Sequence, residues 1–220
     1  MTVRNRGALA AVAAGAAALT VATVVACGSR PAADVGGADV ERLATATPPP
    51  AGAPAATRVP VTSGDLPTAA GTVPPTRLRI PAIGVAATVD AVGIDERTDE
   101  FDVPPSVDQV GWYRYGPGLE ADAGSIVVAG HVDSATQGRG AFYRLRELDR
   151  GDTVTVTGSD GRERAYRVVA REEYDKTKIP LDRYFARDGS VRLTLITCGG
   201  PFDAEARRYR DNIVITAVPA

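Results

Sequence analysis

All twelve aromatic residues of this 220-residue chain lie between Phe101 and Tyr209, and none occurs in the first 76 positions. A segment without aromatics, rich in Ala, Pro, Gly and Thr, buries too little surface to offset the entropy of ordering it. The folded unit is therefore expected over Arg77–Ala220, 144 residues, an ordinary size for a single domain. The formal net charge of −2 and the lack of any basic stripe argue against a nucleic-acid partner.

The N-terminal part carries an address. Arg4 and Arg6 precede an uncharged run, Gly7–Ala26, which is the layout of a secretory signal or membrane anchor. Half of that run is Ala, so it makes a weak transmembrane helix. It ends Val24-Val25-Ala26-Cys27-Gly28, which resembles a bacterial lipobox whose Cys becomes the lipid-modified first residue. Residues 1–27 are thus expected to be a signal or anchor segment, ending on Cys27 as a lipid anchor. An uncleaved signal anchor is the other reading, and either one puts the domain on the extracytoplasmic face of the membrane. Residues 28–76, with nine prolines, have the composition of a disordered Pro/Ala-rich linker. As a flexible coil such a spacer spans about 35–40 Å root-mean-square.

Beyond Thr76 the pattern changes to short β-rich runs separated by turns. Arg77–Ile80, Val85–Ile94, Ser125–Ala129, Thr153–Thr157, Arg164–Arg171, Val191–Thr197 and Asn212–Val218 read as strands. Ser159-Asp160-Gly161 marks a hairpin between two of them. Phe101–Tyr115 reads as an irregular covering segment. Tyr174–Asp188 reads as a long loop with one helical turn near Leu181–Phe185. Val191–Thr197 is expected to end on Cys198, where Gly199-Gly200-Pro201 breaks it. Many short strands and few helices predict an all-β barrel or sandwich.

Groups able to do chemistry are few. His131 is the chain's only histidine and Cys198 the only cysteine within the expected domain, so no disulfide can form inside it. A lone Cys is often a small buried hydrophobe, and a lone His is often a satisfied core residue. Together, each at a strand end beside glycine, they point to a nucleophile and its acid/base. An imidazolium favours the reactive thiolate and can protonate a leaving amine. The tetrahedral intermediate needs an oxyanion stabiliser, and a guanidinium suits that task. Arg207, Arg208 and Arg210 all qualify by proximity in sequence. One His and one usable Cys make no metal cluster, and no cofactor is expected.

Leu193-Thr194-Leu195-Ile196-Thr197-Cys198 resembles the T-L-x-T-C motif of sortases, the cysteine transpeptidases of the bacterial cell surface. Ala129-Gly130-His131 is similar to that family's histidine segment, and Tyr209-Arg210-Asp211-Asn212-Ile213-Val214 to its arginine strand. Gly130-His131-Val132-Asp133-Ser134, Phe142-Tyr143-Arg144-Leu145 and Thr197-Cys198-Gly199-Gly200-Pro201-Phe202-Asp203 resemble the actinobacterial class F branch. The match runs from about Arg77 to the C-terminus in the order His, Cys, Arg, whereas papain-like and NlpC/P60-like hydrolases place Cys before His.

The resemblance implies a closed β-barrel of about eight strands, with short helical segments in its loops. It implies His131 as general acid/base, Cys198 as nucleophile and Arg210 as stabiliser of oxyanion and substrate. The implied reaction cuts a Leu-Pro-x-Thr-Gly-type sorting signal between Thr and Gly. The acyl group then passes to an amine on a peptidoglycan precursor or a pilin. Thr197 is expected to hold the substrate or the thiol's surroundings, and Ile179, Pro180 and Leu181 to form an apolar wall for the substrate's Leu-Pro. Asp133 either orients the imidazole or serves as a turn residue, and it is left outside the catalytic set. Two other functions stay open: an inactive binding or scaffold barrel on a lipoprotein, and a cysteine peptidase that uses water as acceptor.

Overall fold

The alternating runs after Thr72 close into a barrel in the computed structural model of the chain, which describes residues 33–46, 72–95, 97 and 100–220. The strands are β1 (Pro75–Ile80), β2 (Val85–Val92), β3 (Ile94–Asp95), β4 (Glu100–Phe101), β5 (Val110–Tyr113) and β6 (Ser125–Gly130). They continue with β7 (Asp133–Ser134), β8 (Gly138–Arg139), β9 (Thr153–Gly158), β10 (Glu163–Asp175), β11 (Arg192–Asp203) and β12 (Arg208–Pro219). Eight of them close in the order β1-β2-β5-β6-β11-β12-β10-β9, while β3-β4 and β7-β8 form two small ribbons. Only β2–β5 and β6–β11 are parallel neighbours in the barrel; the other pairs are antiparallel. The expected all-β barrel of eight strands is what the chain forms.

Period-two alternation decides what the barrel encloses. Leu78, Ile80, Val110, Trp112, Ile126, Val128, Leu193, Leu195, Ile213 and Ile215 point inward and are almost wholly buried. The β9–β10 hairpin turns where expected, with Gly158 N–H donating to Arg162 O at 2.9 Å and Asp160 accepting from Arg162 N–H at 3.0 Å. β6 is buried along its whole length, because its outer face is also covered.

Three details differ from the sequence reading. β5 forms within the segment expected to be irregular, pairing with β2 and β6. β11 does not stop at Cys198 but continues to Asp203 through a register shift between Gly199 and Phe202. The glycines bend the strand as a bulge instead of ending it. Thirdly, part of the expected linker is ordered: Gly37–Thr45 forms a helix, α1.

Helix α1 lies on the outside of the barrel. Val35 pairs with Arg171 of β10 through reciprocal backbone bonds of 2.9 Å, and Glu173 N–H donates to Asp34 at 3.0 Å. Gly36 has φ +83°, and a Cβ there would lie 2.8 Å from Ala170 Cα, so only glycine admits this approach. Val40 is fully buried in a second apolar cluster with Ala170, Tyr184 and Val214, against which Ile179, Phe185 and Ile196 also pack. Nine residues containing one such anchor gave no periodic signal strong enough to stand out from the linker.

The same cluster fixes the segment between β10 and β11. Its helical turn, α2 (Leu181–Tyr184), covers a polar centre built on Glu172. Tyr184 OH donates to Glu172 at 2.7 Å and Tyr174 OH donates to it at 2.9 Å. Burial pushes the Tyr184 phenol well above its ordinary value, so it remains a donor at any physiological pH. Arg192, wholly buried, donates to the carbonyls of Arg183 at 2.9 Å, Ser190 at 2.9 Å and Asp188 at 3.3 Å. Ser190 N–H in turn donates to Leu43 O of α1 at 2.9 Å. The segment is therefore held from below by Arg192 and from outside by α1.

Among the described residues no helix is long and apolar enough to cross a membrane. The anchor run Gly7–Ala26 and Cys27 lie outside the described residues. Replacing Val40 by Ala should cost about 2 kcal/mol through lost burial and the cavity left behind. That corresponds to a fall in melting temperature of about 4–8 °C for a chain of this size. Thermal melts of the full chain check this; an unchanged melt would mean that α1 contributes nothing to the fold.

Candidate active site

Cys198 stands on β11 at the edge of the barrel, partly exposed, as a free thiol. Its two neighbours in the strand, Thr197 and Gly199, belong to the inner face. Thr197 is 4% exposed and its hydroxyl donates to Gly130 O at 2.8 Å. The residue thus ties β11 to β6, and it also lines the cleft beside Cys198. At Gly199 a Cβ would come within 2.6 Å of Ile213 Cγ1, so glycine lets the bulge sit tight on β12.

Register defines what shares the outer face with the thiol. Cys198 pairs with Asn212, and Arg210 lies two residues from Asn212 on the same side of β12. β6 and β11 pair in parallel with Ala129 opposite Ile196. Two residues further along each strand bring His131 and Cys198 to the same level. Tyr174 of β10 pairs with Asn212, and Lys176 N–H donates to Arg210 O at 3.0 Å, so Lys176 also falls on this face. Its Nζ donates to Cys198 Sγ at 3.4 Å. His131, Cys198, Arg210 and Lys176 therefore come from four strands or strand ends and converge on one patch.

Each expected group has a definite partner. His131 Nε2 lies 2.9 Å from Pro104 O; a carbonyl only accepts, so Nε2 carries a hydrogen and Nδ1 is the nitrogen free to exchange a proton. Asp133 does not orient the imidazole. It accepts from Tyr209 OH at 2.6 Å, linking the segment after His131 to β12. That bond, ahead of burial, pushes the Tyr209 phenol up to about 12. A phenol raised in this way keeps its bond fully below its ordinary value of about 10 and loses it only as pH rises through the folded value.

Arg210 pairs with Asp203 at 3.3 Å, and its side chain is 64% exposed. Backbone donation from Ala206, with the Arg210 contact and donation from Glu205, outweighs the opposing effect of burial and leaves the Asp203 carboxyl below the usual carboxylate range. Arg207, in the turn before β12, and Arg208, the first residue of β12, are exposed.

A cleft of about 250 Å³ opens beside the thiol, lined by Val132, Phe142, Tyr143, Cys198, Gly199 and Tyr209. On the other side lies the segment carrying Ile179, Pro180 and Leu181. Ile179 packs into the outer cluster, Pro180 is half-buried and Leu181 is 54% exposed. Phe185 stacks edge-on against Tyr113 at 5.2 Å between ring centroids, and Phe101 lies 6.3 Å from Phe185. Sequence reasoning missed Lys176 and this aromatic group. Only the β10–β12 register brings Lys176 to the thiol, and one sequence carries no signal of that pairing.

The Thr197–Gly130 bond generates a test. Thr197→Val keeps the shape but removes the buried bond to the Gly130 carbonyl, which should cost about 1–3 kcal/mol. It should also lower kcat/KM by loosening β6 against β11. Thermal melts and peptide-turnover assays check both, and wild-type values in both would show that the bond positions nothing.

A family model described as the sortase domain matches residues 78–220. No curated relative matches the chain. Among solved structures, sortase C-1 of Actinomyces oris is similar at 21% identity and a TM-score of 0.50, covering 66% of this chain and 72% of that one. Sortase A of Corynebacterium diphtheriae is similar at 20% identity and a TM-score of 0.50, covering 67% of this chain and 60% of that one; its lid mutant gives 0.51. At such identities these structures speak for the fold alone. With the family model spanning the barrel and the motif-bearing strands, the chain belongs to the sortase family of cysteine transpeptidases.

Proposed function

We propose that this chain is a membrane-tethered sortase of the class F branch, acting on a Leu-Pro-x-Thr-Gly-type sorting signal at the extracytoplasmic face. The observation that supports it best is the common level of His131 and Cys198 on adjacent strands, with Arg210 on the same face of the next strand. In this reading the resting pair holds Cys198 as the thiolate with its proton on Nδ1 of His131, the nitrogen left free by the Pro104 contact. Sγ attacks the Thr carbonyl carbon and negative charge develops on its oxygen. Arg210 then leaves Asp203 for that oxygen; an exposed ion pair holds it by only about 0–1 kcal/mol. The Thr–Gly bond breaks as the imidazolium protonates the departing glycine amine.

In the second half an acceptor amine attacks the thioester and gives its proton to His131. The carbon–sulfur bond breaks and the thiolate is restored. A peptidoglycan precursor or a pilin lysine supplies such an amine; water in its place makes the enzyme a peptidase. Exposed Leu181, backed by Pro180 and the packed Ile179, suits an apolar wall for the substrate's Leu-Pro. The run Gly7–Ala26, or a lipidated Cys27, supplies the tether, and the Pro-rich stretch supplies reach from the membrane.

The test incubates the full chain with a fluorescent Leu-Pro-x-Thr-Gly peptide and a small amine. Cys198→Ala should abolish cleavage, and Arg210→Ala should lower kcat by about 10²–10³-fold, as loss of an oxyanion donor does. Product carrying the amine supports transpeptidation. Thiol-dependent cleavage without incorporation supports the peptidase, and no cleavage with a slow thiol supports an inactive barrel. Leu181→Asp should raise KM at least tenfold by placing a charge against an apolar substrate residue. An unchanged KM would remove the segment from substrate recognition.

A further inference from the structure

We propose that Lys176 is a further catalytic residue, whose ammonium holds Cys198 as a thiolate in the resting enzyme and again when sulfur departs from the acyl-enzyme. The inference rests on the reading of Cys198 as nucleophile. Three basic side chains share the thiol's level or face. His131 is engaged with Pro104 O, and Arg210 with Asp203. Lys176 alone touches sulfur, at 3.4 Å. Among the described residues no carboxylate lies within ion-pairing distance of its Nζ, so its charge is not spent on another partner.

The position is built. Lys176 is the first residue past β10, and its N–H closes the ladder onto Arg210 O. The turn that follows is locked by Asp175, which accepts from Thr177 N–H at 2.9 Å and from the Thr177 hydroxyl at 2.5 Å. Lys178 N–H donates to Asp175 O at 2.8 Å. The side chain is half-buried on the face of Tyr174, Asn212 and Cys198, where solvent screens it less than on an open surface. A fixed cation beside sulfur stabilises thiolate over thiol, and the thiolate is the form that attacks. It is also the form expelled when the thioester is cleaved, so one ammonium serves both half-reactions. Atoms balance without it: Lys176 neither gives nor takes a proton.

The test needs no substrate, so it separates this inference from the proposed reaction. The full chain, Lys176→Met and Lys176→Arg are alkylated at neutral pH with iodoacetamide and with iodoacetate. Lys176→Met should alkylate roughly tenfold more slowly, because a unit charge at this distance in a partly screened site is worth at least that factor. Its preference for anionic iodoacetate over iodoacetamide should fall as well. Lys176→Arg, which keeps the charge, should stay within a few-fold of wild type in both readouts. A purely structural role would slow both reagents alike and leave their ratio unchanged. Wild-type rates in Lys176→Met, an unchanged reagent ratio, or equal losses in the Met and Arg variants would each overturn the proposal.

Discussion

The parallel pairing of β6 with β11 is the contact on which the site depends. Parallel neighbours run in the same direction, so both strands deliver their last residues to the same rim of the barrel. His131 follows β6 and Cys198 lies near the end of the regular part of β11, so one register sets their separation. The Thr197 hydroxyl bonded to Gly130 O pins that register from inside, one residue from each reactive group. Antiparallel pairing with β12 then adds Arg210 from the opposite direction, and β10 adds Lys176. The barrel closes without a free edge, so the strands that deliver these residues are fixed relative to one another.

What covers the outside matters as much as the interior. Ile196 and Val214 flank the thiol's row on the outer face and are shielded by α1 and by the segment leading into β11. Arg192 holds that segment by three carbonyls, whose bonds offset part of the cost of burying its guanidinium. The chain thus uses a piece of its own N-terminal region to complete the wall beside the site. Helix α1 and the segment leading into β11 meet at Leu43 and Ser190.

Strand composition and turn residues made the barrel legible, since Leu193, Leu195, Ile213 and Ile215 alternate as an enclosed sheet requires. The three reactive types could be picked out because each is rare or flanked by a recognisable string, with His131 the sole histidine. Three things were not legible, each for a physical reason. Glycine after Cys198 signals a break, but a bulge absorbs the same conformational freedom and lets β11 continue. Helix α1 is stabilised by one buried valine and backbone bonds to β10, neither of which shows in composition. Lys176 sits 22 residues from Cys198 in sequence and is brought to it only by pairing across β12.

The central claim is that Cys198 carries the acyl group. Incubating the full chain with a Leu-Pro-x-Thr-Gly peptide in the absence of amine, quenching in acid and mapping the digested protein by mass spectrometry tests it directly. The account predicts a Leu-Pro-x-Thr adduct on the peptide containing Cys198, discharged when an amine is added before the quench. A cleaved peptide with no adduct at Cys198, or an adduct on another residue, would contradict it.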